Sequence, residues 1–179
     1  DSLTSNKEDD IIIRNYYALT KYAGDLACVS KYTTILRTNF VGKSNLTAKE
    51  SLSDWVYNSL VNKLQVEILS DVYFNPVSMN TLCRVIQTVI ENKEKSGIYN
   101  VGSEGSISKA SFDLMLGNFL NFDCSNMSLI ESKNAKFLKA NRPNGMTMNS
   151  NKFQETYNYN LPTINETIAS VAREYDVNE

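Results

Sequence analysis

A helical stretch from Asn15 to about Lys31 runs, with almost no connection, into a short β-branched segment, Thr33–Thr38. A helix delivered straight into a buried-type strand is one half-turn of a parallel α/β layer. On the helix, apolar and small residues at Tyr17, Thr20, Gly24, Ala27 and Cys28 share one side, the side expected to face the core. The alternation then continues. A polar loop at 39–49 leads to a helix capped by Ser51, Ser53 or Asp54 and running to about Lys63. Gln65–Leu69 reads as a strand, Val72–Val77 as an extended segment holding Pro76, and Asn80 to about Asn92 as a helix opened by Asn80. Gly97–Gly102 reads as a short apolar strand, followed by a helix from Ser106 or Ser108 to about Leu120. A weak strand at Met127–Ile130, a helix at Ser132–Ala140 and two final helices at Asn149–Tyr157 and Thr163–Tyr175 complete the reading. The last two are separated by Leu161-Pro162.

The chain has 179 residues, enough for one domain or for one and part of another. It is 42% hydrophobic with only seven glycines and three prolines, so it can bury a core. Its net charge of −2 and its scattered lysines argue against nucleic acid or an anionic membrane as partner. The polar, acidic Asp1–Asp10 is no signal peptide, and no apolar stretch approaches the roughly 18 residues of a membrane span. Cys28, Cys83 and Cys124 suit reduced, buried thiols of a cytoplasmic protein better than a disulfide frame. Histidine is absent, which excludes Ser-His-Asp and Cys-His catalysis and removes the commonest transition-metal ligand. No metal site is expected. Chemistry here falls to tyrosine, lysine, carboxylates or a cofactor.

Tyr17 and Lys21 answer that requirement. One helical turn puts the phenol and the ammonium on the same face. There the lysine charge favours the phenolate and makes the tyrosine a usable proton donor near neutral pH. Spacing alone is weak: with ten tyrosines and thirteen lysines, chance gives roughly 0.7 such pairs. The other reading of spacing alone is an amphipathic helix with a solvated lysine. Gly97, Gly102 and Gly105 lie where a strand passes into a helix, but their spacing fits no phosphate-binding fingerprint and is read as a structural turn.

The run Asn15–Asp25 (Asn-Tyr-Tyr-Ala-Leu-Thr-Lys-Tyr-Ala-Gly-Asp) resembles the active-site helix of the extended short-chain dehydrogenases/reductases. Within them it is most similar to the dTDP-4-dehydrorhamnose reductases and their sugar-nucleotide relatives. The likeness continues in order through Leu36–Gly42, Asp71–Val77, Gly97–Gly102, and Arg142-Pro143 with Met148, Lys152 and Leu161-Pro162. It implies an α/β fold: part of a Rossmann-like parallel sheet plus a small mixed α/β substrate-binding cap. Residues 1–41 and 71–104 would be the C-terminal part of an NAD(P)-binding domain, and 42–70 and 105–179 the substrate-binding subdomain.

The function implied is reduction of the 4-keto group of a nucleotide-linked deoxysugar by NADPH or NADH, in the synthesis of cell-surface polysaccharide precursors. A 4-epimerase or 4,6-dehydratase using the same pair is the alternative, and a non-catalytic relative that keeps the fold is another. By the resemblance Tyr17 gives the proton and Lys21 tunes it and holds the nicotinamide ribose. Thr38 adds a cofactor contact, while Asn39, Phe40 and Arg142 meet the substrate, Arg142 at its diphosphate. A homodimer is common in the family. Asn39 also reads as a turn residue, Arg142, Lys43 and Lys152 as surface residues, and Trp55 with Val56 and Leu60 as core packing. The family's glycine-rich turn and its carbonyl-polarising serine or threonine find no counterpart in this sequence. The chain is therefore expected to be a C-terminal portion that neither binds NAD(P) well nor turns over alone. Three positions depart from the pattern: Phe40 for a tryptophan, Val72 for a glutamine and Val77 for a threonine.

Overall fold

Asn15 opens the first helix, its side chain accepting from the Ala18 N–H at 2.9 Å. The computed structural model describes residues 5–44, 49–138 and 143–175. In chain order these form α1 (Tyr16–Cys28), β1 (Thr34–Thr38), β2 (Phe40–Val41), α2 (Leu52–Val61), β3 (Val66–Leu69), β4 (Tyr73–Phe74) and β5 (Val77–Ser78). They continue as α3 (Met79–Glu91), β6 (Gly97–Val101), β7 (Ile107–Ser108), α4 (Lys109–Phe119), β8 (Met127–Ile130), α5 (Asn151–Tyr157) and α6 (Ile164–Arg173).

Among the described residues three strand pairs are parallel and one is antiparallel. β1 runs parallel to β6 with Arg37 opposite Asn100, β2 parallel to β5, and β3 parallel to β8; β4 and β7 are antiparallel. Parallel pairing between strands separated by helices is the expected α/β layer. Caps account for the helix starts. Ser51 and Asp54 form a capping box on α2, and Thr163 and Glu166 form one on α6. Ser78, rather than Asn80, caps α3, because its hydroxyl reaches the Thr81 N–H. Ser108 caps α4. The helix expected at Ser132–Ala140 is only a 3₁₀ turn at Ser132–Asn134, and residues 139 and 140 lie outside the described region.

The largest core packs Val56 and Leu60 of α2, Phe112 and Leu116 of α4, and Ile168 and Val171 of α6, with Phe74 crossing Phe112 edge-on. A second core sets Val85 of α3 and Phe153 and Tyr157 of α5 on Tyr99 and Val101 of β6. Two expectations fail on burial. The side of α1 carrying Tyr17, Thr20, Gly24, Ala27 and Cys28 is exposed, while the half-buried residues are Ala18, Tyr22 and Asp25. The hydroxyl, glycine and small side chains on that side join no core cluster among the described residues. Cys28 and Cys83 are exposed thiols, and Cys124 is half-buried. Cys28 and Cys83 occupy surface positions on α1 and α3 that no core element covers among the described residues, whereas Cys124, after α4, packs against the largest core.

The glycines after β6 are structural. A Cβ on Gly102 would lie 2.5 Å from Asn75 Nδ2, and Gly105 holds a φ of 99°. Asn75 is buried; its Nδ2 donates to the Ser103 and Met148 carbonyls at 3.0 and 2.9 Å, and its Oδ1 accepts from the Met148 N–H at 2.9 Å. This one side chain holds the loop after β6 to the segment before α5. Asn75→Ala strips partners from the buried Ser103 carbonyl and from two half-buried backbone groups of Met148, and is expected to cost about 2–3 kcal/mol, read from urea unfolding.

Candidate active site

β1 ends at Thr38, beside the N-terminal half of α1. Between them and the 6–13 segment lies a cleft of about 490 Å³, lined by Tyr17, Lys21, Thr38, Phe40, Arg37 and Asn100, among others. The structure thus brings four of the expected residues to one cleft. Tyr17 is 72% exposed, and the Lys21 Nζ stands 5.5 Å from its ring centroid. Phenol and ammonium share the helix face that the one-turn spacing requires, with the cation over the aromatic ring. Phe40 is exposed at the cleft, an aromatic surface facing open space. The Thr38 hydroxyl donates to the Asn39 carbonyl at 3.3 Å.

Asn39 does not line the cleft. Its Nδ2 donates to the Met146 carbonyl at 3.3 Å and its carbonyl accepts from the Val77 N–H at 2.9 Å, so it splices the β1–β2 junction to β5. Arg142 lies outside the described residues. Lys43 and Lys152 lie against rings. Lys43 Nζ is 5.5 Å from the Tyr175 centroid, and Lys152 Nζ is 5.2 Å from Tyr99 while donating to the Ile98 carbonyl at 3.0 Å. Val72 and Val77 are fully buried in the cores, so these two departures from the family pattern are packing residues here.

The residues that frame the cleft carry no local mark of that role in the sequence. Arg37 Nε donates to Asp25 Oδ2 at 2.8 Å and its Nη1 to the Glu8 carbonyl at 2.7 Å. Glu8 Oε1 accepts from the Asn100 N–H at 2.9 Å, and Asn100 Nδ2 donates to the Asn6 carbonyl at 3.0 Å. Arg37 and Asn100 are opposite in register, so side chains from neighbouring strands grip one segment and tie α1 to the sheet. The available signal was an aspartate one turn beyond Lys21 and an arginine inside an otherwise apolar strand.

A second, larger cavity of about 790 Å³ lies between α2, β3 and α4, with Leu52, Trp55, Lys109, Asp113 and Phe137 among its walls. Trp55 also packs on the core beside Val56 and Leu60, as expected. Asp113 is 2% exposed, and its Oδ1 has no hydrogen-bond partner. Burial pushes its carboxyl up to about 8, against the pull of the Lys109 charge.

The RmlD substrate binding domain family matches residues 5–177. The chain belongs to this family. Its RmlD-type fold is seen in solved structures as well. A dTDP-4-dehydrorhamnose reductase from Yersinia enterocolitica superposes with a TM-score of 0.81 at 22% identity, over 97% of this chain and 62% of that one. The enzyme from Bacillus anthracis, in complex with NADP, gives 0.82 at 20% identity, over 96% and 60%. A dTDP-glucose 4,6-dehydratase from B. anthracis, in complex with NAD, gives 0.73 at 12% identity, over 98% and 58%. At these identities the likeness establishes the Rossmann-like fold. The RmlD-family chain spans about three-fifths of the first of these structures. No curated protein matches it.

Proposed function

We propose that this chain supplies the active-site helix and the substrate-binding part of an NAD(P)-dependent sugar-nucleotide reductase acting on the 4-keto group of a nucleotide-linked deoxysugar. The observation that carries the reading is the Tyr17–Lys21 pair, open on one cleft with Thr38 and Phe40, in a chain of the RmlD substrate binding domain family. Tyr17 protonates the oxygen at C4 as negative charge develops on it, and Lys21 supplies the compensating charge. A nicotinamide cofactor supplies the hydride. The exposed Lys21 ammonium and Thr38, also in the cleft wall, are the groups that would hold its ribose. Phe40 packs on the sugar, and Arg142 takes its diphosphate. The nucleoside occupies the larger cavity, whose Trp55 and Phe137 walls suit a planar ring.

In this division residues 1–41 and 71–104 belong to the cofactor side and 42–70 and 105–179 to the substrate side. The test is turnover of the full-length protein on a panel of nucleotide 4-keto sugars, followed by NAD(P)H absorbance. Oxidation of NAD(P)H that depends on a 4-keto sugar supports the reading. Isomerised or dehydrated sugar with no net cofactor oxidation replaces it with an epimerase or dehydratase. No reaction with any member sinks the enzymatic reading.

A further inference from the structure

The 790 Å³ cavity has mostly apolar walls and one feature that such walls do not explain. Asp113 projects from α4 one turn after Lys109, is almost wholly buried, and has an Oδ1 with no hydrogen-bond partner. A buried polar atom without a partner is costly, and its presence in a cavity wall calls for a group that meets it there. The opposite wall is β3, whose one strand partner is β8, so its other edge carries backbone donors and acceptors that no strand pairs among the described residues. Apolar faces, an aromatic wall and a few convergent polar groups describe a pocket for a flat heterocycle with hydrogen-bonding edges.

We propose that Asp113 is a specificity residue of this cavity, donating a hydrogen bond as a carboxylic acid to a ring carbonyl of the base in the substrate's nucleotide moiety. This rests on the nucleotide-sugar reading above and adds to it the residue that reads the base. A carboxyl held up to about 8 is largely protonated at neutral pH, so it has a proton to give. The charged residues lining the cavity are Lys109 on α4 itself and Glu67 on β3, while Leu52 and Trp55 of α2 and Phe137 and Leu138 contribute none. The buried residues of α6, a helix that packs on α4, are Thr167, Ile168, Val171 and Ala172, also uncharged.

Trp55 is the single tryptophan of the chain and lines the cavity, so its fluorescence reports occupancy directly. The experiment titrates thymidine diphosphate into the wild-type chain, Asp113→Asn and Asp113→Ala at pH 7 and pH 9. The wild type is expected to bind about tenfold more weakly at pH 9, because ionised Asp113 has lost its donor. Asp113→Asn keeps an N–H donor and is expected to stay within about threefold of the wild type at pH 7 with a flat pH profile. Its profile also corrects for any pH effect on binding that does not pass through Asp113. Asp113→Ala is expected to lose at least about tenfold at pH 7. Wild-type affinity and pH profile in both variants, each checked by thermal melting, would overturn the role of Asp113 alone. If Asp113→Ala does not fold, a pH slope in Asp113→Asn equal to that of the wild type overturns it equally. Absence of any Trp55 response in the wild type overturns this role together with the nucleotide reading.

Discussion

Tyr17→Phe in the full-length protein is expected to lower kcat for 4-keto sugar reduction by about 10²–10⁴-fold while leaving KM for the nucleotide sugar within about threefold. The chain has no histidine, so within this chain the phenol has no imidazole to replace it as proton donor. The substitution removes one hydroxyl from a ring that is 72% exposed and belongs to no core cluster. Folding and substrate contacts elsewhere are therefore undisturbed, and the loss falls on the proton-transfer step. Lys21→Met is expected to lower kcat as well and to raise KM for the nicotinamide cofactor, because in the proposed site the same ammonium would serve the phenol and the ribose. Steady-state kinetics with substrate and cofactor varied separately distinguish the two. Turnover of Tyr17→Phe at the wild-type rate would make the pair a surface feature of α1.

The elements most legible in the sequence are those with local causes. Capping boxes at Ser51–Asp54 and Thr163–Glu166 start α2 and α6 where side-chain chemistry says they should. The β-branched 34–38 run is a parallel strand, and the weak 127–130 run pairs with β3. Asn80 and Ser78 are both good caps by type, and only geometry decides that Ser78 takes the role. The Ser132–Ala140 stretch has a helical pattern, but Ser132 bonds Asp71 through its N–H and its hydroxyl, which pins that end as a turn.

The candidate site is legible where one helix carries it and illegible where distant segments meet. Tyr17 and Lys21 share a face because of helical pitch alone. The grip of Arg37 and Asn100 on the 6–8 segment depends on a register between strands about sixty residues apart. Nothing local announces that pairing. Asn39 reads in the sequence as a ligand contact or as a turn residue bonding its own backbone, whereas its two hydrogen bonds run to Met146 and Val77, distant in the chain. The face of α1 was misread for a related reason. Small and apolar residues mark a face that can pack, and among the described residues nothing covers that face. Asp113 lies in a helix whose neighbours are Phe112 and Leu116, both fully buried. A polar letter in such a run reads as a surface position until packing shows otherwise.

That burial has a consequence for folding that is separate from ligand binding. The stability of the chain is expected to fall as pH rises from about 4 to about 8, and Asp113→Asn is expected to remove most of the fall. In the unfolded chain the Asp113 carboxyl loses its proton near 3.8, whereas burial holds the folded one to about 8. Between those values the folded state binds the extra proton, so raising the pH favours unfolding. The slope is at most about 1.4 kcal/mol per pH unit. Relaxation and water penetration reduce the total, so a difference of a few kcal/mol between the two proteins is expected at pH 8. Asp54 and Asp71 act in the opposite sense. Burial pushes their carboxyls up, but several hydrogen bonds together outweigh it and hold them low, and their contribution is lost only as pH falls through the acid range. Urea unfolding at pH 5, 6.5 and 8 therefore isolates Asp113. The gap between Asp113→Asn and the wild type should widen at each step, level off above pH 8, and close towards pH 4. Parallel curves would mean that Asp113 is ionised in the folded chain and neutralised by its surroundings, which would also remove the donor that its proposed role in the cavity requires.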